Sequence, residues 1–190
     1  ALWELWKQRH GRWLRYEEYK KFGGIEKAIA TTADDVHGKL LPEEQKLMQN
    51  IFVRLTRLDI MDVKRDTRQR VVLRKLLPDG NDLEKTKGLV QRLAGEEARL
   101  LVTSMDEKTG EEEVEVAHEA LIRYWPRLRG WLESDRENLL LRQMISQQVV
   151  EWQEKNDESY LLLRGSRLEK AKELSSQSGI LNDQEIKYVR

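Results

Sequence analysis

One pair of β-prone runs interrupts a chain otherwise written in helical period. Leu100-Leu101-Val102-Thr103 and Val114-Glu115-Val116-Ala117 flank a polar stretch, Asp106 to Glu113, that contains Gly110. Two short runs of this kind around a Gly-bearing turn predict a hairpin at about 100–117. Upstream, Leu47, Ile51, Leu55 and Leu58 recur at +4, +4 and +3, with Met48 and Phe52 widening the stripe. Pro42-Glu43-Glu44 suits a helix start, proline in the first position and acids against the helix dipole. The stripe predicts an amphipathic helix running on to Leu58. Ile25, Ile29, Ala33, Val36 and Leu40 form a similar stripe after Gly23-Gly24. Leu2, Trp3, Leu5, Trp6, Trp13, Tyr16 and Tyr19 make an aromatic-rich helical beginning. The chain opens Ala1-Leu2-Trp3 in mid-helix pattern, which suggests an excised fragment.

Arg54 to Lys75 carries eight Lys/Arg against three Asp, a local +5, and within it Asp62 to Arg70 reads as a loop. Val71 to Leu77 is a short helix or strand stopped by the turn signal Pro78-Asp79-Gly80. Asp82 is placed to cap a helix through Leu83, Val90 and Leu93. Helix, short helix, helix, hairpin is the order of a winged helix. Beyond the hairpin, Pro126 opens a long helix in which Leu128, Trp131, Leu132, Leu139, Ile145, Val149 and Trp152 keep the period to Lys155-Asn156-Asp157. Ser166-Arg167-Leu168-Glu169 matches a capping box, Gly179 suits the stop, and Asn182-Asp183-Gln184-Glu185 is a further start signal. The expected fold is mainly α: a helical bundle plus a winged-helix subdomain with one β-hairpin. The expected divisions are 1–40, the end of a helical domain; 41–125, the winged helix; and 126–190, C-terminal helices leading to a downstream domain.

Composition narrows the chemistry. The 190 residues hold 34 Lys+Arg and 34 Asp+Glu, a net charge of zero with 36% of residues charged, and no cysteine. A disulfide scaffold, Cys-ligated zinc and thiol catalysis are excluded, and a reducing, cytoplasmic setting fits. No apolar run approaches the ~20 residues of a membrane span, and no signal-peptide pattern is present. There is no G-x-x-x-x-G-K-[ST]: the one Gly-Lys pair, Gly38-Lys39, lacks the first glycine, so the chain alone has no phosphate cradle. His118-Glu119 looks like half of a zinc H-E-x-x-H, but Ile122 stands at the second ligand position. Asp34-Asp35 after Ala28-Ile29-Ala30 resembles an acidic pair closing a strand, yet the helical period through Val36 and Leu40 assigns it to a solvated helix face.

A winged helix raises the question of DNA. The expected recognition helix, 82–98, has a net charge of −1, and the wing, 106–113, a net charge of −4. Phosphates repel both surfaces, and affinity for DNA rests largely on that electrostatic term. The basic run 54–75 is the remaining footprint; its other reading is a charged loop contacting a neighbouring domain. A histidine, His118, sits where the hairpin's second strand feeds a helix. There an imidazole can donate to an anion beside free backbone N–H groups, or simply cap or pack the junction. Spacing alone leaves both readings open.

Several runs carry a family resemblance. "EVEVAHEALIRYWPRLRGWLESDRENLLLR", "RDTRQRVV", "EARLLVT" and "YLLLRGSRL" resemble the helical and winged-helix segment that follows the ATPase core in bacterial STAND-type NTPases. These are signal-transduction ATPases related to the NB-ARC and apoptotic ATPases, and they often carry WD repeats. The opening "ELWKQRHGRWLRYEEYKKFGGIEKAIA" resembles the end of the helical domain after their nucleotide-binding core.

That resemblance implies a non-catalytic regulatory segment. In such proteins the winged helix folds back on the nucleotide-binding domain, and a histidine of a Met-His-Asp-like motif contacts the β-phosphate of ADP. His118 stands at that histidine position, with Val116-Ala117 before it in place of Met and Glu119 in place of Asp. A donor seated on a diphosphate favours the closed, ADP-bound state, and exchange for ATP removes the preference. Glu119, Arg123, Arg68 and Arg70 are the implied interface residues. The implied cofactors, ADP or ATP with Mg, belong to the full-length protein, because the Walker residues lie outside this chain. The implied partners are the protein's own nucleotide-binding domain, a downstream sensor domain and other copies on activation, with neither a membrane nor nucleic acid expected. Two alternatives stand beside this reading: a nucleic-acid-binding winged helix using 54–75, and a helical scaffold linking an ATPase core to a sensor. The cationic run and the anionic wing are both expected to dock on sibling domains.

Overall fold

Leu41-Pro42 sets the first helix junction. Helix α1 (Gly24–Lys39) stops just before it, and α2 (Pro42–Arg54) starts with the proline at its first position. Glu44 accepts the Leu41 N–H at 3.0 Å, and the Gln45 amide donates to the carbonyls of His37 and Leu40. The computed structural model describes residues 24–76, 83–155, 165–177 and 180–189. The aromatic-rich beginning, the Pro78-Asp79-Gly80 turn, the Asp82 cap and the Gly179 stop lie outside the described residues.

Helix α2 ends at Arg54, short of the expected Leu58. Thr56 returns its hydroxyl to the Phe52 carbonyl at 2.8 Å, and the backbone leaves as strand β1 (Thr56–Arg57). Leu58 still reaches the core, 4% exposed, from extended backbone. The polar stretch read as a loop holds a 3-10 turn at Val63–Arg65 and strand β2 (Thr67–Arg68). Strands β1 and β2 pair antiparallel, Thr56 opposite Arg68. Polar composition hid this order because side chains hold the segment together. Asp59 accepts the N–H groups of Met61 and Asp62, Asp62 accepts that of Lys64, and the Gln143 amide brackets both the N–H and the carbonyl of Leu58.

Strand β3 (Val71–Val72) then leads through a 3-10 turn at Leu73–Leu76 to α3 (Leu83–Ala94). The expected hairpin is present as β4 (Leu101–Met105) and β5 (Glu112–Val116), with Gly110 at φ 68° in its turn. Both strands run further toward the turn than the apolar runs implied, β4 to Met105 and β5 from Glu112 within the polar stretch. The sheet order is β3-β5-β4, Val71 opposite Val114 and Leu101 opposite Val116. Val114 and Val116 are buried, and Glu113 and Glu115 alternate with them on the other face, as a pleated strand requires.

The single helix expected from Pro126 onward is broken. Helix α4 (Glu119–Tyr124) precedes Trp125, which Pro126 pushes out of helical conformation. Helix α5 (Pro126–Ser134) ends at Asp135, at φ −144°, and α6 (Arg136–Lys155) follows. Helices α7 (Ser166–Ser176) and α8 (Asp183–Val189) close the described chain. The start signal at Asn182 is borne out, and Asn182 and Glu185 cap the helix reciprocally: Asn182 Oδ1 accepts the Glu185 N–H at 2.9 Å, and Glu185 Oε2 accepts the Asn182 N–H at 2.8 Å. The box expected at Ser166 is not made. Gly165, at φ 62°, takes the N-cap position, and its carbonyl receives the Leu168 N–H. The architecture is mainly α with small antiparallel sheets, in keeping with the expected class.

The larger apolar core runs without interruption from Ala30 and Ala33 through Met48, Ile51, Phe52, Leu93, Val114 and Leu121 to Leu132 and Leu139. A second cluster, built on Ile145, Val149, Ala171, Leu174 and Tyr188, begins partway along α6. Trp125, fully buried, is the larger core's centrepiece, edge-on to Phe52 at 5.3 Å and to Trp131 at 5.2 Å.

Trp125→Ala is expected to lower unfolding stability by about 3–5 kcal/mol, read as a shift of the denaturant midpoint. Arg99, between α3 and β4, holds a left-handed φ of 48°. Arg99→Gly is expected to raise stability by up to ~1 kcal/mol in the same assay, since glycine adopts that conformation without a Cβ penalty.

Candidate functional site

Strand β5 delivers His118. After Val116 enters the core, the Ala117 N–H donates to the Leu100 carbonyl at 2.9 Å and locks the last rung beside β4. His118 follows in extended conformation as the N-cap of α4, its carbonyl accepting the Leu121 N–H. Its imidazole makes no cap hydrogen bond and is exposed, with no partner among the described residues. The capping alternative is therefore not the one the side chain adopts.

Helix α4 is short but firmly seated. Leu121 and Ile122 are fully buried, and β2 packs beside the helix. At its far end, Asp34 of α1 accepts the Trp125 indole N–H at 3.0 Å and the Arg127 Nε at 2.7 Å. Burial raises the Asp34 carboxyl pKa, but the bonds from Arg127 and Trp125 outweigh burial and hold the group below its ordinary value. Asp34 thus ties α1 to the α4–α5 junction, while Asp35 is the solvated member of the pair.

The implied interface residues fall into two groups. Arg123 reaches back one turn to Glu119 at 2.7 Å, both partly exposed, so each is the other's counter-ion. Arg68 donates to the Val116 carbonyl at 3.3 Å, two residues before His118, and lies 3.8 Å from Glu115. Arg70 stands 3.6 Å from both Glu113 and Glu115, and Arg74 2.6 Å from Glu111. The cationic run and the acidic side of β5 therefore face each other within the molecule. Each such exposed pair contributes about 0–1 kcal/mol, so the ladder's main effect is to cancel charge. Of the eight cations in 54–75, Arg57, Lys64 and Lys75 have no ion pair among the described residues.

Sequence reading missed the buried polar centres. Asp66, 1% exposed, accepts from Arg136 at 2.9 and 3.0 Å, from Arg129 at 2.9 Å and from the Asp59 N–H at 2.9 Å. Burial opposes its ionisation, yet the bonds from Arg136, Asp59 and Arg129 together keep its pKa below the ordinary value. The available signal was Arg129 and Arg136, seven residues apart beside the apolar Leu128, Leu132 and Leu139. Arg54, counted in the cationic run 54–75, is 5% exposed; it donates to the Ile180 carbonyl at 2.6 Å and lies 3.5 Å from Glu185.

A helical module carrying a three-stranded sheet, with an exposed histidine at its strand-to-helix junction, is thus the class of structure present. The family model described as novel STAND NTPase 1 matches residues 1–160, and the chain belongs to that family. No curated protein and no solved structure matches. Among the described residues, no helix is long and apolar enough to cross a membrane.

Asp66→Asn is expected to cost about 2 kcal/mol at neutral pH, because two half-buried guanidiniums lose their counter-charge. Asp66 has a folded pKa below its ordinary 3.8, so its stabilisation is present above that value and fades as pH falls through the folded pKa. Denaturation from pH 7 to pH 2 should show this acid-side loss in the native chain and a smaller one in Asp66→Asn.

Proposed function

We propose that the chain is a non-catalytic regulatory segment of a STAND NTPase, which docks on the protein's nucleotide-binding domain and distinguishes ADP from ATP through His118. The observation that carries this reading is the exposed, unpartnered imidazole of His118 on a backbone fixed from both sides. With the backbone fixed, only the side-chain rotamers remain to be ordered when the imidazole meets an anion. The family's motif, with Glu119 in the acidic position, adds support, and so does the order of the elements. Helix α2, strand β3, the turn at 73–76, helix α3 and the β4–β5 hairpin follow the winged-helix sequence, with the first strand pairing on the last. On this reading nucleotide hydrolysis, Mg binding and the downstream sensor reside in other parts of the full-length, cytoplasmic protein, and activated copies associate.

The donor acts through a difference between states. A hydrogen bond to a charged phosphate contributes about 1.5–3 kcal/mol. If it forms only on ADP in the closed arrangement, it biases the switch by that amount and no more. Nucleic-acid binding finds less support, since Arg68, Arg70 and Arg74 already face Glu115, Glu113 and Glu111. The scaffold alternative differs only in giving His118 no contact with nucleotide.

In the full-length protein, His118→Ala is expected to speed ADP release at least about tenfold, measured with a fluorescent ADP in a displacement experiment. Unchanged release and unchanged signalling would leave the scaffold reading in its place. Duplex DNA should show no salt-dependent mobility shift with the native chain; a clear shift would favour the nucleic-acid reading.

A further inference from the structure

Arg142 lies in α6 at 8% exposure and makes no hydrogen bond and no ion pair with any described residue. Burying a guanidinium is costly unless a counter-charge and hydrogen-bond acceptors meet it. The acid whose charge acts on it, Glu185, is already committed. Its carboxylate accepts from the Ser146 hydroxyl and the Asn182 N–H and lies 3.5 Å from Arg54. Arg54 is in turn held by the carbonyls of Ile180 and Lys75. Two buried arginines thus share one carboxylate, and Arg142 is the one left over.

Its side chain lines a cavity of about 400 Å³ between the β3 edge and helices α6 and α8. Arg54, Arg57, Arg70 and Lys75 also line it, against Glu113 and Glu185, five cations to two acids. Arg57 and Lys75, like Arg142, have no ion pair among the described residues. Three unspent cations around one cavity call for a ligand with more than one negative charge. Guanidinium forks match phosphate oxygens in pairs. The volume exceeds what a single phosphate fills and lies within the range of small-molecule sites.

We propose that this cavity binds a small diphosphate-class anion, with Arg142 as the buried guanidinium and Arg57 and Lys75 closing on it from the more open side. The ligand would bridge the β3 edge, on the larger core, to α6 and α8, on the smaller one. The site is separate from the His118 junction, so either assignment can fail without the other.

The test is calorimetric titration and thermal unfolding of the full chain with pyrophosphate, against sodium chloride at matched ionic strength. Saturable binding and a Tm increase beyond the chloride control are expected. Arg142→Met should weaken pyrophosphate binding at least about tenfold. In the absence of pyrophosphate the same variant should unfold at a higher temperature than the native chain, because an uncompensated buried charge has been replaced by an apolar side chain. Arg57→Gln, on an exposed residue, should weaken binding severalfold with the ligand-free Tm unchanged, and it carries the test if Arg142→Met does not fold. His118→Ala should bind pyrophosphate as the native chain does. Titration with ADP separates the sources of the anion: affinity equal to pyrophosphate identifies a free diphosphate, and much tighter binding identifies a nucleotide. A Tm response no larger than that to chloride overturns the proposal. So does undiminished binding by Arg142→Met.

Discussion

Two guanidinium groups, from Arg129 and Arg136, close on the buried carboxylate of Asp66, and much of the chain's geometry follows from that contact. Arg129 belongs to α5 and Arg136 is the first residue of α6, so both reach one carboxylate across the break at Asp135. Arg136 also donates to the Asp59 carbonyl at 2.6 Å, and Asp66 itself accepts the Asp59 N–H. The segment from Asp59 to Asp66 is thereby clamped, and the β1–β2 pair that flanks it is held in register. β2 in turn brings Arg68 to the Val116 carbonyl, just ahead of His118. A polar contact far from the histidine in sequence thus helps fix the backbone on which the histidine stands. Low local dielectric makes such a network strong when every member is satisfied and costly when one is missing.

Apolar periodicity and turn chemistry carried most of the fold. The hairpin was legible because Val114 and Val116 alternate with glutamates and Gly110 supplies a left-handed turn. The helix start at Asn182 was legible from its run of capping-type and acidic residues, and the structure adds the reciprocal bonds between Asn182 and Glu185. Where reading failed, a competing contact won. The stripe through Leu58 continues past the end of α2, because burial is satisfied from extended backbone as well as from a helix. Ser166 offers a cap that the left-handed Gly165 makes unnecessary. Asp34 looked solvated because nothing local reveals that the Trp125 indole, buried 91 residues away in sequence, needs an acceptor. The candidate site was half legible. The position of His118 at the strand-to-helix junction followed from the hairpin, while the partners of Arg68, Arg70 and Arg123 depended on tertiary register.

The balanced net charge also has a spatial meaning. Glu113 and Glu115 project from one side of β5, Glu111 just precedes the strand, and the arginines of 68–74 come up against them. Much of the positive charge of 54–75 is cancelled within the molecule. The balance is upset at the buried pair of Arg54 and Arg142, where two guanidiniums share Glu185. Exposed pairs of opposite sign do little for stability, whereas a surplus charge in a buried position is expensive. Position, more than charge count, separates a neutral surface from a site that calls for a ligand.

Helix α6 belongs to both apolar clusters: Leu139 packs in the larger and Ile145 and Val149 in the smaller. Its 20 residues span about 30 Å as one hydrogen-bonded rod. A rod anchored in this way works as a lever arm. A tilt of about 10° at its Arg136 end would sweep the far end through roughly 5 Å, a displacement set by helix length alone. A small change in how the Asp66 clamp seats would therefore reach the Lys155 end of α6 as a movement the size of a side chain.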